Sequence, residues 1–385
     1  MSKATRSHLL SRPLGFLKGL PARGVVNLTV IALALALALV RLPASAVERF
    51  YSNGIYPVFQ SALTPLTNLF PFAVLDVMLV TLAVALPAWW IARIVRAERG
   101  RRLRTAARLL FDTLVIASLF LLGFQLLWGL NYERRPLVSK LDYDERRLSL
   151  EGIHRLRLMT IERLNAQYQE ARGVWPGEAE WRAKLHASLN ETVKQLGNRR
   201  SVAAATPKTS LLDIYLSAAG IEGFVNPFGH EVILNREILP FEKPFLLAHE
   251  WAHLAGFADE SEANFVGLVT CLQSDMAAVR YSGLLTLYQY IPALPAESST
   301  DNGKGKAPPD PTPRLAPQVI ADLEAIRERE DRNVNATISR AQWAFYDRFL
   351  KASGVEAGVA SYSQFVRLVL GTRFENGWTP ARRDD

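Results

Sequence analysis

The sequence predicts a mainly α-helical membrane protein in which three N-terminal transmembrane helices precede a mixed α+β domain. Hydrophobic residues make up 49% of the 385 positions, and they are concentrated in three long apolar runs before residue 131. Residues 131–385 instead combine charged, helix-like patterns with one short strand-like run. Such a mixture is typical of a folded domain outside the bilayer.

Each of the three runs is long enough, or nearly so, to cross a bilayer as a helix, which takes roughly 20 apolar residues. They cover about residues 25–43, 72–92 and 109–130. Trp89 and Trp90 end the second run and Trp128 ends the third. Amphipathic rings favour the membrane interface, so these positions support three spans within residues 24–130.

Positive charge is concentrated around the predicted spans. Residues 1–108 contain 14 Lys and Arg against 3 Asp and Glu, a surplus of 11, which leaves −3 for the rest of a chain with a total of +8. Because basic segments stay in the cytoplasm, residues 1–23 are predicted to be a cytoplasmic tail and residues 131–385 to be extracytoplasmic, on the cytoplasmic membrane of a bacterium. Arg134 and Arg135 argue weakly the other way. Because the positive charge lies around the predicted spans, the lipid bilayer is a predicted partner of the chain and nucleic acid is not.

The N-terminus also has features of a secretory signal. Ala44-Ser45-Ala46 forms an A-x-A-like cleavage site after a basic start and an apolar run. The leading tail is long for a signal peptide, so an uncleaved first span is preferred and cleavage remains the alternative.

Residues 249–253 read His-Glu-Trp-Ala-His, an H-E-x-x-H pentad. In a helix, His249 and His253 lie one turn apart on the same face, where both imidazoles can bind one metal ion. Glu250 then lies beside the open position of the metal, where a carboxylate can accept a proton from bound water. The pentad predicts a zinc site with Glu250 as the catalytic base. The alternative is an ordinary amphipathic helix.

Three acids compete to be the third zinc ligand: Asp259, Glu260 and Glu262. Gly256 is well placed to end the metal helix in a left-handed conformation. Asp259 and Glu262 then match a capping box at the start of the next helix. Glu260 is left over and shares a helix face with Asn264, so it is the preferred ligand. Asp259 and Glu262 stay open as alternatives, Asp259 because its spacing also matches metzincin-like sites.

The run from Gly223 to Asn235 is the best strand candidate in the domain. Zincin peptidases place such a strand along the cleft edge, where an extended substrate can add to it. A plain core strand or hairpin is an equal alternative.

Four further residues could contact the metal ligands or the substrate. His230 is expected at the surface, and Glu231 and Arg280 are expected in structural ion pairs. Tyr281 could donate to an oxyanion, although a packed core tyrosine is favoured.

Helical patterns account for most of the remaining domain. Residues 263–294 are apolar but contain polar interruptions, and they are predicted to form two packed helices rather than a fourth span. A loop rich in Ser, Gly, Lys and Pro, at about 296–317, is predicted to be mobile. The other predicted helices are 143–169, 178–196, 319–330, 339–350 and 362–370.

The run Glu260-Ser261-Glu262-Ala263-Asn264-Phe265 resembles the E-x-E-A-N/D element of gluzincin peptidases, including the membrane-embedded CAAX prenyl protease group and the phage-repressor-cleaving group. In those families the first Glu binds zinc and the Asn or Asp steadies the site. The resemblance implies these roles for Glu260 and Asn264. Most gluzincins have a longer segment between the pentad and this element.

Most of the chain is also similar to an uncharacterised family of bacterial membrane proteins, a domain of unknown function. The similar segments are 47–57, 128–132, the pentad region, 280–283 and 346–351.

These observations predict a membrane-anchored zinc metallopeptidase with a zincin-like α+β domain outside the cytoplasmic membrane, acting on a protein or peptide. The alternative is a sensor or scaffold that is stabilised by zinc and catalyses nothing. The intact Glu250 speaks against that alternative, because a structural zinc site needs no general base.

Overall fold

The computed structural model describes residues 22–171, 175–292 and 313–383. The described chain is mainly helical and divides into two compact units. One contains Met1–Leu42 and Met78–Trp128, and the other contains Pro43–Val77 and Gly129–Asp385. The predicted basic tail falls outside the described residues except for its last two positions. The loop predicted to be mobile also falls outside the described residues, except for residues 313–317.

Within the described residues, three helices are long and apolar enough to cross a membrane: α1 (Ala22–Leu39), α3 (Val74–Val95) and α4 (Arg102–Leu127). They confirm the three predicted runs, with ends displaced by a few residues. Trp90 Nε1 donates a hydrogen bond to Thr113 Oγ1 at 3.0 Å and so joins α3 to α4. The apolar helices associate the chain with a membrane.

Residues 43–77, between the first two spans, fold with the large unit rather than with the other apolar helices. A π-helix, Val47–Ile55, leads directly into α2 (Tyr56–Asn68). The buried side of this segment is largely polar: Gln60 Nε2 donates to Ala203 O at 2.8 Å, and Thr64 Oγ1 donates to His230 O at 2.9 Å. If all three apolar helices span the bilayer, residues 43–77 and the chain after residue 128 lie on the same side.

The large unit contains a two-stranded antiparallel hairpin surrounded by helices. Strand β1 (Gly223–Asn226) pairs with β2 (Glu231–Leu234), with Gly223 opposite Leu234. The helices are α5 (Leu150–Glu170), α6 (Glu178–Gln195), α7 (Asp213–Ala219), α8 (Lys243–Leu254), α9 (Glu260–Leu272), α10 (Ala277–Tyr290), α11 (Pro317–Asn333), α12 (Ala336–Ser353) and α13 (Ser361–Gly371).

Most helix predictions for this unit are confirmed, including the division of 263–294 into α9 and α10. Helix α5 begins seven residues later than the pattern suggested, because residues 137–147 include two short 3₁₀ turns. The first of these ends at Ser139, and the second begins at Glu145 and is capped by the Asp144 side chain, which accepts from Arg146 N.

The pair α8 and α9 lies at the centre of the core. All residues of α8 after Lys243 and all residues of α9 are buried, as expected for helices that are apolar on most faces. Helix α8 packs against α6, α9, α10 and the hairpin. At the closest approach, a Cβ atom on Gly267 of α9 would lie only 3.1 Å from His249 N. Glycine at this position lets the two backbones approach.

Candidate metal centre

Helix α8 presents His249 and His253 on one face, as the spacing predicts. The imidazole centroids are 4.7 Å apart with ring planes nearly perpendicular, and the two Nε2 atoms are 3.1 Å apart. Both side chains are buried. Two Nε2 lone pairs directed at one point can bind a single metal ion.

The end of α8 fixes the orientation of His253. Gly256 has φ of +86°, which confirms the predicted left-handed ending. Gly256 N donates to His253 O at 3.0 Å and Phe257 N donates to Ala252 O at 3.1 Å, the bonding pattern of a Schellman motif. The turn brings Phe257 O to 2.8 Å from His253 Nδ1. When Nδ1–H donates to this carbonyl, the lone pair of Nε2 is left for a metal.

Asp259 and Glu262 are placed away from the imidazoles. Asp259 is the N-cap of α9, as predicted, and accepts from Ser261 N at 2.9 Å and Glu262 N at 3.2 Å. The predicted capping box is wrong for Glu262, whose Oε1 accepts from Leu137 N at 2.5 Å. That bond lies within the core, where burial, with Asp259 nearby, raises the pKa of Glu262 to about 7.

Glu260 is the acid that faces the imidazoles. Its Oε2 lies 3.3 Å from His249 Nε2 and 3.4 Å from His253 Nε2. In the described part of the chain, His249, His253 and Glu260 form the group of side chains close enough to share one ion, with ligand atoms within 4.8 Å of one another. A tetrahedral site with bonds of about 2.0–2.1 Å places its ligand atoms about 3.3 Å apart, so the observed triangle has a size that suits one metal ion.

The electrostatics of the cluster favour a positive charge at its centre. Burial would raise the pKa of Glu260, but the two imidazoles hold that pKa well below its usual range. Burial would lower the pKa of His253, but the charge of Glu260 and its hydrogen bond raise that pKa to about 9. His249 Nδ1 has no hydrogen-bond partner among the described residues. Two imidazole nitrogens and a carboxylate suit a first-row divalent cation.

Glu250 lies beside this cluster in a buried position. Burial raises its pKa to about 7, although the nearby imidazoles of His249 and His253 act in the opposite direction. Its Oε1 is 3.0 Å from the point that a Cβ atom on Gly223 would occupy, and its Oε2 has no hydrogen-bond partner within the described chain. A carboxylate with a pKa near neutrality can both accept and release a proton.

The segment predicted as a strand near the cleft is the β1–β2 hairpin. Strand β2 is fully buried, and its Ile233 forms a parallel bridge to Lys208. Strand β1 is only partly buried, and among the described residues its outer edge has no partner strand. The start of β1, at Gly223, lies next to Glu250.

These observations coincide with a family match over most of the chain. Residues 51–370 match the family described as "Protein of unknown function (DUF3810)". The chain belongs to this DUF3810 family. The match confirms the similarity to a domain of unknown function, and it includes His249, His253 and Glu260. No curated protein and no solved structure matches the chain significantly.

Arg280 and Tyr281 of this DUF3810 protein do not reach the metal centre. Arg280 donates to Gln167 Oε1 at 2.6 Å and pairs with Glu170 at 2.8 Å. Tyr281 OH donates to Asp322 Oδ2 at 2.5 Å. Arg280 therefore forms the expected ion pair, and Tyr281 is the buried core tyrosine that the sequence favoured.

His230 and Glu231 lie in the hairpin turn and at the start of β2. The expectation that His230 is a surface group is wrong: it is fully buried, because α2 covers the turn and its ring lies 5.4 Å from that of Tyr56. Glu231 accepts from Val74 N, Leu75 N and Asn226 Nδ2, and pairs with Lys208 Nζ at 2.7 Å. It is a buried structural anchor, and the expected ion pair is confirmed.

Asn264 lies one turn after Glu260 on α9 and is buried. Its side chain lies near that of Tyr290 on α10. Asn264 therefore packs beside the metal centre, on the same side of α9 as Glu260.

Two residues near the centre, Tyr346 and Arg134, make contacts that were not anticipated from the sequence. Tyr346 OH of α12 donates to Glu260 Oε1, leaving Oε2 directed at the imidazoles. Arg134 donates to Gly256 O at 2.8 Å and forms a two-point ion pair with Glu48 at 2.9 and 3.0 Å. Tyr346 and Arg134 carry no local sequence signal, since each lies more than 80 residues from its acidic partner.

Arg134 and Tyr56 together hold the end of α8. The guanidinium of Arg134 lies 4.4 Å from the ring centroid of Phe257, and Tyr56 OH donates to Leu254 O at 3.0 Å. Both donors bind backbone carbonyls that follow the pentad. The segment between the first two spans therefore supports the turn that orients His253.

Proposed function

We propose that this protein is a membrane-anchored, zinc-dependent metallopeptidase of the gluzincin type, with a zincin-like α+β domain. The observation that carries the proposal is the convergence of two imidazole Nε2 atoms and the Glu260 carboxylate at 3.1–3.4 Å, beside the buried Glu250. His249, His253 and Glu260 would hold the zinc ion. When bound there, zinc supplies a Lewis acid that polarises the scissile carbonyl and lowers the pKa of water.

The protein groups around this centre have separate tasks in hydrolysis. Glu250, with a pKa of about 7, accepts a proton from the attacking water and passes it to the leaving amine. Tyr346 orients Glu260 through its Oε1, and the Phe257 carbonyl orients His253 through its Nδ1. Partners of this kind fix the direction of metal ligands and tune their basicity.

The proposed substrate is a protein or peptide bound in an extended conformation. The outer edge of β1 has no strand partner among the described residues, so its backbone groups can pair with an added strand. Gly223 lies against Glu250, since a Cβ atom at this position would come within 3.0 Å of the carboxylate and 2.8 Å of the Leu234 side chain, so glycine lets the edge strand run close to the acid.

The alternative function is a sensor or scaffold in which zinc only stabilises the fold. A purely structural site has no use for an acid beside the metal. Glu250 is buried with Oε2 unpaired among the described residues, and a buried unpaired carboxylate destabilises a fold. This cost favours the catalytic function, in which water and substrate satisfy that oxygen.

We propose that the metal centre faces the outside of a bacterial cytoplasmic membrane. Seven arginines lie between residues 93 and 108, in and beside the connection from α3 to α4, and basic connections stay in the cytoplasm. A reporter fused after residue 135 should then behave as extracytoplasmic, and one fused near residue 100 as cytoplasmic. The opposite pattern would refute this orientation.

The peptidase proposal is tested by comparing Glu250→Gln with Glu262→Gln. Both acids are buried and have pKa values raised to about 7, but only Glu250 lies beside the metal centre. The N-termini of envelope-protein fragments are compared between cells that carry each variant and cells that carry the wild type. Glu250→Gln should keep the metal and remove a set of fragments that Glu262→Gln retains. Identical fragments in wild type and Glu250→Gln would overturn the proposal.

A further inference from the structure

Helix α7 exposes an unusual amount of apolar surface for a short helix in a folded domain. The side chain of Leu211, just before the helix, is 76% exposed, and that of Ile214 is 87% exposed. The opposite side of α7 is buried through Leu216 and Ala219. Single exposed aliphatic residues are common, but a contiguous apolar patch marks an interaction surface.

The position of α7 is fixed by hydrogen bonds to the first turn of α3. Asp76 accepts from Ser210 Oγ at 2.5 Å and from Leu211 N at 2.8 Å. Asp76 is the third residue of α3, and the same helix continues as the candidate span Val74–Val95. Leu211 is therefore held at the point where the chain starts to cross the membrane.

A second anchor ties the hairpin to the same place. Val74 N and Leu75 N donate to the Glu231 carboxylate at 2.9 and 3.2 Å. Lys208 Nζ bridges that carboxylate and Thr67 O, at 2.7 and 2.6 Å. The end of the domain that carries Leu211 is thus fixed to the start of α3 by independent contacts.

The turn that leads into α3 adds further apolar side chains to this end of the domain. Leu69 is 76% exposed, and Phe70 and Phe72 are also exposed. Ala73, the next residue, packs against Leu216 on the buried side of α7. We define the α7 apolar face as the exposed residues Leu69, Phe70, Phe72, Leu211 and Ile214.

We propose that the α7 apolar face lies in the interfacial layer of the lipid bilayer. A transmembrane helix begins at that layer, and the face surrounds the beginning of such a helix. Aliphatic and aromatic side chains gain from burial at the boundary between headgroups and acyl chains. The bilayer is the occupant that the structure favours, because α3 leads directly from this face into the hydrocarbon. The inference does not depend on peptidase activity.

The test places a nitroxide label at Leu211→Cys or Ile214→Cys in the full-length protein. The protein is reconstituted in nanodiscs of phosphatidylethanolamine and phosphatidylglycerol. Leu150→Cys is the matched control, because Leu150 is 74% exposed and lies on α5, which packs against α10, α11 and α13. The native Cys271 is fully buried, which protects it from labelling.

Collision of each label with oxygen and with a water-soluble nickel chelate distinguishes lipid from water. Labels at Leu211 and Ile214 should collide more with oxygen, whereas the control label should collide more with nickel. Equal preference for nickel at all three positions would overturn the proposal. Protection of Leu211 and Ile214 from both reagents would also overturn it, because a protein partner or second copy would then cover the face. Ile214→Cys keeps the test valid if Leu211→Cys does not fold.

Discussion

Removing the Glu260 carboxylate should weaken metal binding far more than removing either neighbouring acid. Glu260→Ala deletes one of the three atoms that converge at 3.1–3.4 Å. Loss of a residue that only orients a ligand lowers metal affinity 10- to 100-fold, so loss of the ligand itself should exceed about 100-fold. Asp259→Ala removes two N-cap bonds and should destabilise the fold by about 0.5–2 kcal/mol with metal still bound. Glu262→Ala leaves Leu137 N unpaired, at a cost of about 1–3 kcal/mol.

The assay combines zinc titration against a chelator with thermal unfolding of the purified full-length variants. Zinc affinity should fall steeply for Glu260→Ala alone, whereas the unfolding temperature should fall for Asp259→Ala and Glu262→Ala with zinc affinity largely kept. If Asp259→Ala loses the metal while Glu260→Ala binds it normally, the site is metzincin-like and the ligand assignment is wrong.

Three other substitutions test contacts around the centre. Tyr346→Phe removes the hydrogen bond that orients the ligand carboxylate, so zinc affinity should fall about 10- to 100-fold with the fold intact; an unchanged affinity would refute the positioning role. Gly267→Ala puts a Cβ atom 3.1 Å from backbone and should destabilise the protein by about 1–3 kcal/mol, whereas Gly100→Ala, with no atom within 4 Å, should change its unfolding temperature little. Burial alone would raise the pKa of Glu48, but the ion pairs of this side chain lower its pKa from 4.5 to about 2. Ionised Glu48 therefore stabilises the fold above pH 4.5, and this stabilisation is lost as the pH falls toward 2. Over that range the free energy of unfolding of wild type should fall by about 2–3 kcal/mol more than that of Glu48→Gln. Parallel acid unfolding curves for the two proteins would contradict this prediction.

The features that could be predicted from the sequence are those set by neighbours in the chain. Mean hydropathy over a window is enough to locate the three apolar helices. The left-handed Gly256 and the N-cap Asp259 follow from helix-ending and helix-starting preferences within a few residues. Glu260 was the preferred ligand because capping gave Asp259 another role and helical spacing placed Glu260 on one face with Asn264.

The features that could not be predicted depend on residues that meet only in the folded chain. Glu262 has the spacing of a capping box, yet the buried Leu137 N competes for its carboxylate. His230 follows a turn and suggested a surface position, but α2 packs over it. The segment carrying Glu48 has no continuous apolar stripe, because its buried side bonds to the domain through polar side chains. Periodicity does not reveal such contacts.

The zinc content of the purified full-length protein tests the central claim most directly. After expression in zinc-replete medium, elemental analysis should find about one zinc per chain in the wild type and in Glu250→Gln. The double variant His249→Ala/His253→Ala should contain none, while circular dichroism confirms that its helices persist. A folded wild-type protein that binds no zinc, even on titration with excess metal, would contradict the account.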